Sequence, residues 1–182
     1  MNMECLIQTN GIAPMEILAN FLKTFGAVMK YGRHTTLYEG DCYYIPYYMM
    51  TYQVEETGES YAFLNSQLSE DISMFPMGGS VSLKLEQKEV DACFLLNGEK
   101  EESEARQQIR KKLQMNRQLR KLYSRYHLME QSWKKVYIQE QSFYAKGKSE
   151  YLFLVDGFLG KVDFKHLGAV ERRFAENYIK NK

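Results

Sequence analysis

The chain has 182 residues and a formal net charge of +1; 45% of it is hydrophobic and 14% aromatic. That composition excludes a chain too polar to bury a core, and the length allows one domain or two small ones. Three cysteines, Cys5, Cys42 and Cys93, lie far apart with no Cys-x-x-Cys spacing, which speaks against a disulfide framework or a zinc site and fits a reducing compartment.

Met1 to Cys5 has no basic leader and no apolar signal core, and no apolar run approaches the ~20 residues of a membrane span. A cytoplasmic location is the expectation. Residues 3–7 are predicted to form a short strand that Asn10-Gly11 ends. Pro14 then stands where a first helical residue is tolerated. Ile17, Leu18, Phe21, Leu22, Phe25, Val28 and Met29 follow at helical spacing up to Gly32, which predicts one helix over 14–31 with this stripe in the core.

Glu39-Gly40-Asp41 reads as a turn. Cys42 to Val54 follows as a strand rich in tyrosine: Tyr43, Tyr44, Tyr47, Tyr48 and Tyr52. Pro46 cannot donate to a ladder, so the strand is expected at a sheet edge or bulged there. Residues 55–59 make a hairpin turn and 61–64 the returning strand. The tyrosines either cover a sheet face beneath a helix or, at an edge, make Tyr47 and Tyr48 a platform for a peptide strand or stacked bases. Residues 75–80 read as a loop. Gly78-Gly79 lacks the Gly-Lys-Ser/Thr ending of a phosphate-binding loop and reads as a plain turn. Val81, Leu83 and Leu85 alternate as in a strand, and 92–96 is a short apolar run, strand or helix end.

The stretch from Glu99 to Trp133 is the strongest helix signal. Glu99, Glu101, Glu102 and Glu104 open it, and eight basic residues with no acidic one follow between Ala105 and Arg125, an order that suits the helix macrodipole. Met115, Leu119, Leu122, Tyr126, Met129 and Trp133 step by three or four, as in a buried seam. At about 100° per residue, Arg106, Arg110, Arg117, Lys121 and Arg125 fall on the opposite side. Such a row suits phosphates, an acidic protein surface or a membrane surface, or is a solvated face. The remainder of the chain is net acidic, which favours a directed surface.

Residues 135–144 are predicted as a strand, 151–155 as a buried strand, and 161–164 as its return after a turn at 156–160. Residues 166–179 are expected to close the chain as a helix. The order helix, long strand, hairpin, strand occurs at 14–64 and again at 101–155. Tyr61-Ala62-Phe63-Leu64 echoes Tyr151-Leu152-Phe153-Leu154, so the chain divides as 1–97 and 98–182 in two related halves, or is one continuous domain. Asp156-Gly157-Phe158-Leu159-Gly160-Lys161-Val162 resembles the Asp-x-x-x-Gly-Lys-Val hairpin that closes PepSY-type domains. The resemblance covers at most residues 101–164. It implies a helix packed on an antiparallel sheet and a non-enzymatic inhibitory or interaction module.

The histidines His34, His127 and His166 have no metal-ligand spacing; His127 falls beside the seam of the long helix. A Cys42 and His34 nucleophile–base pair has no local support, and turn chemistry accounts for Glu39, Asp41 and Asp163. No cofactor or metal is expected. The overall expectation is an α+β fold of antiparallel hairpins on three helices. Its leading function is a non-catalytic interaction or regulatory module for a protein or peptide partner, with self-association an option. Nucleic-acid binding through the basic helix is the alternative. A small enzyme is the third reading, because catalytic groups that meet only in space leave no motif.

Overall fold

The structure, a computed structural model, describes residues 2–8, 12–68, 70–77, 83–96, 98, 100–115, 127–146 and 150–163. The class is α+β. The described strands are β1 (Asn2–Gln8), β2 (Thr36–Val54), β3 (Ser60–Ser66), β4 (Ile72–Met77), β5 (Leu83–Glu89), β6 (Leu128–Lys146), β7 (Glu150–Asp156) and β8 (Lys161–Asp163), and the helices are α1 (Pro14–Leu22), α2 (Phe25–Tyr31) and α3 (Glu102–Met115). The sheet is mixed, ordered β4-β3-β2-β6-β1-β5, with β7 on β6 and β8 on β7. β1 and β6 pair in parallel, at Cys5–Tyr137 and Leu6–Ile138, whereas β1–β5, β2–β3, β3–β4, β6–β7 and β7–β8 are antiparallel. No helix among the described residues is long and apolar enough to cross a membrane.

Contacts gather the chain into two compact units. One holds residues 1–10 and 45–138, the other 11–44 and 139–182. The units interleave along the sequence, whereas a division at residue 97 would make them successive halves.

In the second unit, Ile17 and Leu18 of α1 and Ala27 and Tyr31 of α2 pack with Phe143, Ala145, Phe153 and Val155. The Tyr31 ring meets Phe153 edge-on at 5.2 Å. The single helix expected over 14–31 is two. Thr24 is extended and caps α2, its Oγ1 accepting the Ala27 N–H at 3.4 Å. The break turns α2, so Phe25 and Met29, expected in the core, are 82% and 65% exposed. The turn expected at Glu39-Gly40-Asp41 is instead strand β2. The Gln141 side-chain amide donates to the Gly40 carbonyl, and the Ser142 hydroxyl donates to the Asp41 carbonyl at 2.7 Å. The Asp156–Val162 segment does form a hairpin. Asp156 Oδ1 accepts the Phe158 and Leu159 N–H groups at 2.7 and 2.8 Å, and Gly160 takes the left-handed φ of 65° that closes the turn. The helix expected at 166–179 lies outside the described residues.

In the first unit, β2 and β3 form the expected hairpin around Gly58, which has φ 71°. β2 is not an edge: β3 and β6 flank it. Pro46 sits one residue past the paired Tyr47 and Ser66. There its carbonyl accepts the Gln67 N–H at 3.0 Å, and its ring nitrogen leaves the reciprocal bond unmade, so the β2–β3 ladder ends there. Residues 75–77, read as loop, belong to β4. The run at 92–96 contains one 3₁₀ turn, Ala92–Phe94.

The helix expected from Glu99 to Trp133 is shorter in the described residues. α3 runs from Glu102 to Met115, and by Leu128 the chain is strand β6, with Met129 and Trp133 in it. Residues four apart share a face in a strand as well as in a helix, so that spacing alone did not separate the two. Along β6 the burial alternates Val136, Ile138, Glu140 and Ser142, with period two. The buried face of α3 is Ala105, Ile109 and Leu113; Met115, placed in the seam, is 74% exposed. Leu119, Leu122 and Tyr126 lie outside the described residues. Ile109 and Leu113 rest on Met50 and Tyr52 of β2 and Phe63 of β3, with Ile72, Leu128 and Trp133 at the margin.

Ile109→Ala and Leu113→Ala are each expected to cost about 2–5 kcal/mol in urea unfolding, because both side chains are fully buried. Phe25→Ser on exposed α2 is expected within about 0.5 kcal/mol of the parent.

Candidate functional site

The site is built where α3 crosses the β2–β3 hairpin, within the first unit. In an antiparallel pair, directly opposed residues share a face, and β2, β3 and β4 place Tyr48, Asn65 and Ile72 in line, then Met50, Phe63 and Met74. Phe63 is under α3, so this whole set faces the helix. Asn65 is the polar member and is fully buried. Its Nδ2 donates to the Ala105 carbonyl at 3.3 Å and to Gln108 Oε1 at 3.2 Å. Its Oδ1 accepts from Lys100 Nζ at 2.8 Å.

Lys100 precedes α3 and is half-buried. Besides Asn65, its ammonium donates to the Ser66 carbonyl at 2.6 Å and to Gln108 Oε1 at 2.9 Å. Burial pushes its pKa below the ordinary 10.5, against the pull of the carboxylates of Glu104, Glu70 and Asp71. Three acceptors around an ammonium with three protons to donate make Lys100 a tether of the α3 entry to β3. That geometry suits a cation and not a nucleophile, whose lone pair would need to be free. Gln108 extends the network outward, its Nε2 donating to Glu104 Oε1 at 3.1 Å.

Beyond Gln108 the surface opens into a cleft of about 310 Å³ lined by Glu70, Ile72, Gln108, Lys111, Lys112 and Met115. Ile72 and Met115 give it apolar lining, and Lys111 and Lys112 give it positive charge. Lys111, Lys112 and the neighbouring Arg110 are exposed.

Arg106 is spent inside the protein. Its guanidinium binds Glu102 at 2.9 Å and Glu130 of β6, and lies 4.3 Å from the centre of the Trp133 ring. The hydrogen bond to Glu130, with the one to Glu102, holds its pKa above the ordinary value. Trp133 in turn stacks on Tyr48 at 5.0 Å. Tyr48 donates its hydroxyl proton to the Lys100 carbonyl at 3.3 Å, and burial first, then Glu101 and Glu102, raise its pKa. Tyr47 is 5% exposed. Of the residues placed on a binding surface from sequence, Arg110 is exposed beside the cleft, Arg106, Tyr47 and Tyr48 are engaged internally, and Arg117, Lys121 and Arg125 lie outside the described residues. Lys111 and Lys112 were visible as charge but fell off the stripe drawn through Arg106. Ile72, Asn65 and Lys100 carried no local signal, since their roles exist only once α3 lies on the hairpin.

Two other candidates resolve into structure. His127, expected beside a helical seam, precedes β6 with its side chain 84% exposed; its ring Nδ1 lies 2.9 Å from Glu56 Oε1, while its backbone N–H donates to the same carboxylate. Cys42 donates to Gln141 Oε1 at 2.8 Å and accepts from Gln139 Nε2 at 3.0 Å. Among the described residues, no group of three His, Cys, Asp or Glu side chains is placed to hold a metal ion. No family model matches the chain, and comparison with the curated proteins and with the solved structures finds no match either.

Lys100→Met is expected to lower stability by about 1–3 kcal/mol, since Asn65 Oδ1 and the Ser66 carbonyl lose their donor. The pH dependence has a definite sign. Between the depressed folded pKa and 10.5, the unfolded chain keeps a proton at Lys100 that the folded chain has released. Urea midpoints of the parent minus those of Lys100→Met are therefore expected to rise with pH through that window and to be level below it. A difference that falls as pH rises would contradict the burial of this ammonium.

Proposed function

We propose that the chain is a non-catalytic interaction module that binds an acidic, partly apolar segment of a partner protein at the cleft beside the end of α3. The observation that carries it is the cleft itself: Lys111 and Lys112 line it together with Ile72 and Met115, so charge and apolar contact are offered side by side. Met115 in the cleft is 74% exposed, and Met74, next but one to Ile72 on β4, is 37% exposed. Methionine is flexible and polarizable, and suits surfaces that adapt to a bound segment. A nucleic-acid partner is less favoured, because Arg106 is already neutralised by Glu102 and Glu130, and Lys111 and Lys112 share their cleft with apolar side chains and Glu70.

The same proposal includes the finer architecture. Hairpins β2–β3 and β6–β7 each pair a 19-residue strand with a seven-residue one, and a helix packs on each, which supports an ancestral duplication and two related halves. The β7–β8 hairpin keeps the PepSY-like resemblance with the second half, and that resemblance accords with a module that acts by docking. A cytoplasmic setting stays part of the proposal, consistent with three free cysteines.

The test is fluorescence anisotropy with a labelled peptide of alternating glutamate and valine, its lysine–valine counterpart, and a mixed-sequence DNA duplex. The acidic peptide is expected to bind and to weaken with salt. Lys111→Glu with Lys112→Glu is expected to weaken it about tenfold, on the order of 1.4 kcal/mol, and to improve the basic peptide. Equal binding of both peptides by parent and double variant, or preference for the duplex, would overturn the proposal.

A further inference from the structure

Among the described strands β4 is an edge, and the ladder on its β3 side fixes which of its backbone groups face outward. Ser66 N–H donates to the Asp71 carbonyl at 3.1 Å, one step beyond the pair Asn65 and Ile72. Ser66–Asp71 is thus a hydrogen-bonded pair, and antiparallel pairs alternate. Leu64–Ser73, Ala62–Phe75 and Ser60–Met77 are bonded pairs, whereas Asn65–Ile72, Phe63–Met74 and Tyr61–Pro76 are not. The β2 side agrees: Val54 N–H donates to the Glu59 carbonyl at 2.8 Å, which makes Tyr52–Tyr61, Met50–Phe63 and Tyr48–Asn65 bonded pairs and leaves the even residues of β3 for β4. The backbone groups of Ile72 and Met74 therefore point away from the sheet, and so does the nitrogen of Pro76, which has no hydrogen to offer.

Pro76 thus costs the β3 ladder nothing and blunts one end of the edge. At the other end, Ile72 and Met74 face outward with no described strand beside them. The opposite edge strand differs. β5 carries Lys84, Glu86, Lys88 and Glu89, with Lys84 and Glu86 paired at 2.6 Å, whereas β4, Ile-Ser-Met-Phe-Pro-Met, carries no charge. Ile72, with its outward backbone, also lines the cleft together with Lys111 and Lys112.

We infer that the partner segment binds as an added β-strand on β4, antiparallel to it. It takes the N–H and C=O of Ile72 and Met74 and the C=O of Pro76, and its carboxylates lie against Lys111 and Lys112. Backbone bonds to an open edge supply affinity, and the alternate side chains over the cleft supply selectivity. The occupant is an acidic extended peptide and not a second copy of β4, because β4 brings no carboxylate to meet those lysines. This inference rests on the cleft as the docking site and adds how the segment is held there.

The experiment uses the peptide acetyl-Glu-Val-Glu-Val-Glu-Val-Glu-Val-amide and two isomers of it, one N-methylated at every glutamate, the other at every valine. In a strand, residues on one face direct their amides to one side. Residues of an antiparallel addition that face α3 direct theirs at β4. Methylated glutamates are expected to weaken binding at least about tenfold and methylated valines by no more than about twofold. Isomers of equal affinity overturn strand addition, and if they also match the unmethylated peptide, the cleft remains the site and side chains alone hold the segment. Failure of the unmethylated peptide to bind overturns the docking site and the strand addition together. Sedimentation of the free protein as a dimer that the peptide dissociates would show β4 pairing with its own copy and overturn the choice of occupant.

Discussion

A buried carboxamide has no water to turn to, and Asn65 finds all its partners on or just before α3. Its two amide hydrogens go to the Ala105 carbonyl and Gln108, and its oxygen takes a proton from Lys100. An unpaired polar group at that depth would cost about 1–3 kcal/mol. A slide of α3 by one turn would break all three bonds at once. Ile109 and Leu113 could tolerate such a slide better, since apolar contact is not directional. Hydrophobic burial therefore brings the helix down, and the Asn65 network decides its register.

With the register held, the rest of this surface follows. Leu113 is the last buried position of α3, so Met115 is left exposed, and Lys111 and Lys112 line the cleft together with Ile72. Arg106 is carried to Glu130 and Trp133, where it binds α3 to β6 and is lost to any external anion. The same helix thus spends one cation on cohesion and presents others at a cleft. Its covering of β2 and β3 reaches β4 only at Ile72, and among the described residues no strand lies beyond the outward backbone of β4.

Much of this was legible in the residues. Alternation and turn chemistry located β3, β7 and the β7–β8 hairpin, and Asp156 and Gly160 do there what those residue types favour. The misreadings have specific causes. Met129 and Trp133 fit a helix and a strand equally, and only pairing with β2 and β1 selects the strand. Gly40 signals a turn locally, but its carbonyl is claimed by a glutamine 101 positions away. Phe25 and Met29 continue the period of α1, yet a threonine cap restarts the helix and sends them outward. Pro46 and Pro76 are alike in sequence. One sits in an inner strand beyond the end of a ladder and the other on an edge with its nitrogen turned outward, a distinction that belongs to register. The cleft was the least legible feature, because Ile72 and Lys111 are brought together only by the Asn65 network.

The most direct measurement is residue-resolved amide hydrogen exchange along β4 in the free protein. With α3 held over β2 and β3 and the β4 edge open, the Ile72 and Met74 amides are expected to exchange rapidly while those of Ser73 and Phe75, bonded to β3, are protected. Uniform protection of all four amides, or uniform exchange, would contradict an ordered strand with one side free for a partner.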